Sequence, residues 1–306
     1  MTKIMINIIS KTKYAYIFSI TLTILSVVSL FVWGLKFGID FTGGTLMEVS
    51  FENSIPANQE IEETLKDLNL KSLTIQSTQN NSALIRYASE DDTINQNVFK
   101  KISEKYPNSK ELRVDYANAS VSNELKSKSL WAIFWAVAGI LAYIAWAFRK
   151  VSRPVASWKY GIGAVIALVH DILITTGAFS VLGHFYGIEV GIPFIAALLT
   201  ILGFSVHDTI VVYDRTRENL LRSSNKETFP DIVNRSLNET LVRSVNTSLT
   251  VLITLLAVFI FGGATIRDFS LALLIGVFFG TYSSIFIASA LLVTSYKLQI
   301  NYKSTK

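Results

Sequence analysis

The chain has 306 residues, of which 50% are hydrophobic and 17% charged, with a mean hydropathy of +0.41. Soluble domains carry about 25% charged residues, so an ordinary soluble enzyme is excluded, and the lack of cysteine excludes disulfides, thiolate metal sites and cysteine nucleophiles. The formal charge of +5 is uneven: residues 35–128 hold 11 Lys/Arg and 14 Asp/Glu, so the basic excess lies beside the apolar runs and reads as topology information, not as a nucleic-acid footprint.

A membrane span needs ~20 mainly apolar residues to cross ~30 Å of hydrocarbon. The first run, Tyr14–Gly34, is too long for a signal-peptide core and no small-residue cleavage site follows it. It reads as an uncleaved span after a short N-terminus, residues 1–13. Residues 35–128 then form an extra-membrane domain. Within it, Thr45–Phe51 is strand-like, and Asn58–Leu70 is an acidic helix with Ile61, Leu65 and Leu68 on one face. Ser72–Gln76 and Ala83–Tyr87 are short strands around an Asn80–Asn81 turn. Asp91 is placed to cap a helix to about Tyr106, with Ile94, Val98 and Ile102 on one face, and Glu111–Tyr116 is a last strand. The order β-α-β-β-α-β predicts a small ferredoxin-like α+β domain.

Five further runs complete an α-helical polytopic membrane protein with six transmembrane helices. They fall at about 130–148, 161–182, 190–212, 244–262 and 269–295, within residues 129–296, and leave a tail at 297–306. The connections 149–159 and 213–243 are rich in Lys and Arg, whereas 183–189 has none and 263–268 only Arg267. The positive-inside rule places both termini in the cytoplasm and residues 35–128 outside it.

Ionisable residues inside a span are costly and by default point to function. Asp208 lies near the cytoplasmic end of the fourth span with Ser205 one turn back, so the two can share an interior face. It reads either as a protonatable carboxylate or as an interface residue reaching water. Arg243 opens the fifth span at the head of a polar stripe of Thr240, Asn246 or Thr247, Thr250 and Thr254. It is placed at the depth of Asp208. A pair of this kind would favour ionised Asp208 and, on separating, its protonation; the other reading is a snorkelling anchor. Asp171 continues a small-residue stripe, Gly163, Ala167 and Thr175, beside His170, and reads as a second relay group or as a helix-locking hydrogen-bond residue. Gly276, Gly280 and Ser284 form a GxxxG-type packing stripe in the sixth span. His184 falls in a short loop and reads as solvated. Metal-ligand spacing, a Ser/His/Asp arrangement and a phosphate loop are all absent from the sequence, so no enzyme, cofactor or metal is expected.

Several motifs carry a resemblance. Gly38-Ile39-Asp40-Phe41-Thr42-Gly43-Gly44-Thr45 follows the first span, and Ala167-Leu168-Val169-His170-Asp171 lies in the third. Gly203–Asp208 continues as Thr209–Asn219; Arg243–Ser248, Phe261-Gly262-Gly263 and Gly280–Phe286 follow. In this order and at these topological positions the chain resembles the SecD/SecF family of the bacterial Sec translocase, within the resistance-nodulation-division superfamily, over nearly its whole length. The resemblance implies the smaller member of that pair, in the cytoplasmic (inner) membrane. It would join SecD in a twelve-span unit beside the Sec channel and its associated subunits, acting on unfolded preproteins with the proton motive force. It implies Asp208 and Arg243 as the proton-coupling pair, with Asp171 and His207 as lesser candidates. Asp40, Gly43 and Gly44 would couple the external domain to the first span. Two departures stand out: His207 lies where Asn is frequent, and Tyr116–Leu125 lacks the family's Val-Gly-Pro, which suggests a flexible hinge. Two other readings are a non-transporting scaffold that stabilises SecD and the channel, and half of a small-molecule efflux pump.

Overall fold

The computed structural model describes residues 5–52, 54–78, 81–89, 91–149, 154–223 and 227–304. In chain order the elements are α1 (Thr12–Val32), the single turn α2 (Ile39–Thr42), β1 (Gly44–Ser50), α3 (Asn58–Leu65), β2 (Thr74–Ser77), β3 (Ser82–Tyr87), α4 (Asp92–Lys105) and β4 (Lys110–Ala117). Then come α5 (Ala119–Ala147), α6 (Ser157–Tyr186), α7 (Ile192–Arg222), α8 (Phe229–Phe261) and α9 (Ala264–Ser283), which runs through a π turn (Ser284–Ala288) into α10 (Ser289–Ser304). Six helical segments are long and apolar enough to cross a membrane: Ile9–Val32, Val121–Ala147, Ser157–Tyr186, Ile192–Arg222, Phe229–Phe261 and Ile266–Ile300.

The chain divides into two compact units. The membrane unit holds residues up to Gly34, 132–184 and those from Pro193 onward. Its interior is built from α6, α7 and the α9–α10 helix, which contribute Ala164, Ala167, Val212, Tyr213, Ile285 and Leu292 to one buried cluster. α5 and α8 turn large apolar side chains outward, among them Trp135, Trp146, Ile253 and Phe261. Lipid tails solvate such surfaces, so exposure here carries no hydrophobic penalty.

Small residues set how closely these helices approach. A Cβ on Gly177 of α6 would lie 2.3 Å from the Ser26 Cβ of α1. At this crossing Ser29 Oγ donates to the Gly177 carbonyl at 3.1 Å, and Ser180 Oγ contacts the Ser29 and Gly34 carbonyls at 2.9 and 2.6 Å. Cβ atoms on Gly276 and Gly280 would lie 2.1 Å from Ile201 and 3.0 Å from Ser205, so the glycine stripe of α9 packs on α7. Ser284 is fully buried and donates to the Thr281 carbonyl of its own helix at 3.0 Å. The π turn that begins at Ser284 breaks the regular backbone ladder, and the Tyr213 hydroxyl of α7 donates to the Ala288 carbonyl at its end, at 3.1 Å.

The basic stretch 213–243, read as a connection, is mostly helix. α7 continues to Arg222 and α8 begins at Phe229, because both segments keep an apolar face while their polar faces pair. Arg215 bonds Glu218 and Glu239 at 2.5 Å each, and Asn219 donates to Ser236 and Glu239 at 2.9 and 2.8 Å. The side chains of Asn234 and Asn238 hold the backbone of Ile6, and Asn234 also accepts from Ile8. The N-terminal segment is thereby fastened to α8.

The second unit comprises residues 35–131 and 185–192. Its four-stranded antiparallel sheet has the order β2-β3-β1-β4, the ferredoxin-like arrangement that the sequence predicts. Strand side chains alternate, so Met47, Val49, Ile85 and Tyr87 face the same core as Ile61 and Leu65 of α3 and Val98 and Ile102 of α4. The first helix of the domain ends earlier than its apolar spacing suggests: α3 stops at Leu65 and Lys66–Leu68 tighten to a 3-10 turn. Asp91 caps α4 as expected, accepting from Thr93 N at 2.9 Å. The expected Asn80–Asn81 turn lies partly outside the described residues; Asn81 takes the left-handed conformation at φ 54°. Where the sequence suggests a hinge, Asn118 alone separates β4 from α5. Ser122 Oγ donates to the Ile39 carbonyl at 3.3 Å, and Lys126 Nζ sits 4.8 Å from the Phe37 ring centre.

Candidate functional site

The membrane unit holds two buried carboxylates with different surroundings. Asp171, 1% exposed on α6, is encircled by donors. Ser205 Oγ of α7 and Ser283 Oγ of α9 both donate to Oδ2, at 2.6 and 2.7 Å. His170 Nδ1 lies 2.9 Å from Oδ1. One carboxylate therefore ties three helices together. The other ring nitrogen of His170, Nε2, is buried and has no hydrogen-bond partner among the described residues.

Asp208 lies on α7 and is 3% exposed. Its one recorded hydrogen bond at Oδ2 is long, 3.5 Å from Ser248 Oγ of α8, and Ser248 in turn receives the Thr281 hydroxyl of α9 at 2.6 Å. Ser244, one turn before Ser248, is also buried and faces this carboxylate. The helix period brings Ser244 and Ser248 to the inner face of α8 and leaves Arg243, Asn246, Thr247, Thr250 and Thr254 exposed on its outer faces. Among the described residues Arg243 closes no ion pair with Asp208, and its charge reaches that carboxylate only through space. His207 is exposed on α7, as are Thr200 and Gly203.

The sequence places Ser205 beside Asp208; the structure gives its hydroxyl to Asp171 instead. Ser283 and Thr281 fall inside a motif legible in the sequence, yet nothing in that motif marks Ser283 as a donor to Asp171 or Thr281 as a donor to Ser248. The signal available was the helical spacing of Ser244 and Ser248 opposite the Arg243 stripe. His184 is exposed as expected, and stacks on Trp33 with ring centres 5.1 Å apart.

Asp40, Gly43 and Gly44 lie in the second unit. Gly43 and Gly44 take φ values of +72° and +111°, and a Cβ on Gly44 would lie 2.6 Å from the Tyr87 carbonyl oxygen, so this entry to β1 needs glycine. Asp40 Oδ2 accepts from the backbone N of Ile192 at 2.8 Å, capping the first residue of α7 from a distant part of the chain. Gly38 N and the Lys36 carbonyl bond Val190 on either side, at 2.9 and 2.8 Å. Glu189 receives Arg86 in a two-pronged ion pair and has Lys36 at 3.8 Å. Burial lowers the Arg86 guanidinium to about 10, against the opposing pull of the Asp40 charge, so Arg86 stays charged at neutral pH. The motif after the first span thus meets the 185–192 loop, a contact with no marker in the sequence beyond the lone carboxylate Glu189.

Six spans enclosing buried carboxylates, with a ferredoxin-like domain inserted after the first, define a multi-pass membrane protein of the transport class. Residues 97–298 match the family model described as protein export membrane protein SecD/SecF, C-terminal, and residues 28–55 match that of the SecD/SecF GG motif. The protein translocase subunit SecF of Thermobaculum terrenum is 43% identical over 303 residues, 95% of this chain and 94% of that one. SecF of Haemophilus influenzae is 36% identical, over 91% of this chain and 82% of its own. The crystal structure of SecDF, a translocon-associated membrane protein from Thermus thermophilus, superposes with a TM-score of 0.84 at 32% identity over 95% of this chain. SecDF in its super-membrane-facing form gives 0.71 at 31% identity over all of it. The chain spans about two-fifths of those solved chains, 39% and 40%. The chain belongs to the SecD/SecF family, as its SecF member: a non-enzymatic subunit of the Sec translocation machinery in the cytoplasmic membrane.

Proposed function

We propose that the chain uses the proton motive force, together with SecD, to assist the late export of secreted proteins, with Asp208 as the group that takes up and releases the proton. The observation that carries this reading is the contrast between two buried carboxylates. Asp171 has two short hydroxyl bonds and an imidazole, whereas Asp208 has the hydroxyl of Ser248 at 3.5 Å and that of Ser244 beside it. A buried charge held this loosely is unfavourable, so Asp208 is the group whose protonation a nearby cation can decide. Arg243, on an outward face, is that cation: drawn toward Asp208 it favours the ionised form, drawn away it favours the neutral one. Asp171 and His207 are secondary proton-holding groups in this scheme.

An exposed stripe of Arg243, Asn246, Thr247, Thr250 and Thr254 on a membrane helix is unfavourable against lipid tails. A second membrane protein with polar groups of its own would cover it, and SecD fits that role. The basic loops support both termini in the cytoplasm, with the ferredoxin-like domain at the outer face where the emerging chain is met. Within the external unit Asp40 accepts from the Ile192 backbone, and Gly43 and Gly44 supply the left-handed turn into β1.

Export of a preprotein into vesicles holding SecD, this chain and the channel tests the reading. Asp208→Asn is expected to abolish the part of export that depends on the proton gradient while leaving the ATP-driven part. Unchanged gradient dependence would leave the scaffold reading, which the Asp171 junction and the α7–α9 glycine packing favour.

A further inference from the structure

A groove of about 220 Å³ opens on the membrane unit between the first turns of α6 and the end of α10. Its walls include Trp158, Lys159, Ile162 and Ile166 from α6 and Leu291 and Leu298 from α10. We propose that it binds one anionic phospholipid, with the acyl chain along Ile162, Ile166 and Leu291 and the phosphate on Lys159.

The groove has the polarity of an amphiphile. Lys159, Ile162 and Ile166 fall at helical spacing on one face of α6, so a charged end passes directly into an apolar strip. Ile162, Ile166 and Leu298 are 43%, 46% and 65% exposed, and lipid is the solvent that meets them. α6 has 30 residues, a length of about 45 Å against a hydrocarbon core of about 30 Å, so its first turn stands at headgroup level. Trp158, exposed there, is of the kind enriched in interfacial belts.

Charge selects the headgroup. Lys159 Nζ is fixed by one hydrogen bond to Gln299 Oε1 at 3.2 Å, which leaves two of its three protons for a phosphate oxygen. Among the described lining residues Lys159 is charged and none is acidic. A zwitterionic headgroup would bring its own cation into this basic corner; an anionic one brings none.

The full chain, freed of lipid in mild detergent, is titrated with phosphatidylglycerol, phosphatidylcholine or inorganic phosphate while its thermal midpoint is followed. Phosphatidylglycerol is expected to raise the midpoint at lower concentration than phosphatidylcholine. Lys159→Gln should weaken that response about fivefold and narrow the difference between the two lipids. Ile166→Trp, which fills the strip, should weaken both. Equal responses to the two lipids, or an unchanged response in Lys159→Gln, would overturn the proposal, as would phosphate alone acting as well as the lipid. If Lys159→Gln does not fold, native mass spectrometry of the wild-type chain decides: one phosphatidylglycerol retained in preference to phosphatidylcholine supports the site, and no preference refutes it.

Discussion

A carboxylate taken out of water needs donors around it, and several kcal/mol hang on whether it finds them. Asp171 has Ser205, Ser283 and His170, each from a different position in the bundle or chain. Replacing it with Ala strands the Ser205 hydroxyl and the His170 imidazole, while Ser283 keeps the Gly280 carbonyl at 3.1 Å, at about 1–3 kcal/mol for each group left unmet. Asp171→Asn keeps an acceptor oxygen for the two serines and is expected to retain most of the thermal stability that Asp171→Ala loses. Unfolding followed in detergent distinguishes the two, and equal losses would mean that the charge of Asp171, not its acceptor geometry, holds the helices. The identity of Asp171 and Asp208 as buried groups was legible from charges standing in apolar runs. Their partners were not, because a serine at one point of a helix can face either of two acids a turn away, and only the packing of α6, α7 and α9 decides which.

Among whole elements, α1 and α6 approach each other backbone to backbone at Gly177, whose Cβ would meet both the Cβ and the Cα of Ser26, at 2.3 and 2.5 Å. A clash with backbone cannot be relieved by a side-chain rotation, so Gly177→Ala should separate α1 from α6 and destabilise by about 1–3 kcal/mol. Gly139 on α5 has no neighbour within 4 Å of its would-be Cβ. Gly139→Ala is expected to be neutral or to stabilise by up to about 1 kcal/mol through helix propensity. Thermal midpoints of the two variants check the contrast, and a fall of the same size in both would show that α1 and α6 do not depend on this contact. Hydropathy revealed the six spans because lipid demands long apolar runs. It could not mark where helices outlast the membrane, as α7 and α8 do, since there the stability comes from polar pairing such as Arg215 with Glu239. The π turn at Ser284–Ala288 was likewise invisible: one extra residue in a turn leaves no periodic trace, and the Tyr213 hydroxyl of another helix bonds the Ala288 carbonyl at its end.

At the scale of the molecule, the ferredoxin-like domain claims the loop 185–192 as its own, through Asp40, Val190 and the Arg86–Glu189 pair. The element order was readable from alternating patterns and turns; the loop's attachment was not, since its contacts with Arg86 and Asp40 join residues 103 and 152 positions apart. Glu189→Ala would leave Arg86 buried without its partner, a loss of about 3–5 kcal/mol. Protease cleavage between 185 and 192 is expected to accelerate in that variant, while an unchanged rate would mean that the backbone bonds of Val190 suffice. Proton movement through Asp208 is read from the pH inside sealed, acid-loaded vesicles that hold this chain with SecD and the channel, their cytoplasmic side outward, while a preprotein is translocated into them. Lumenal pH is expected to rise, and Asp208→Asn to stop that rise where Asp171→Asn only slows it. Proton exit at the wild-type rate in Asp208→Asn would refute proton transfer by Asp208.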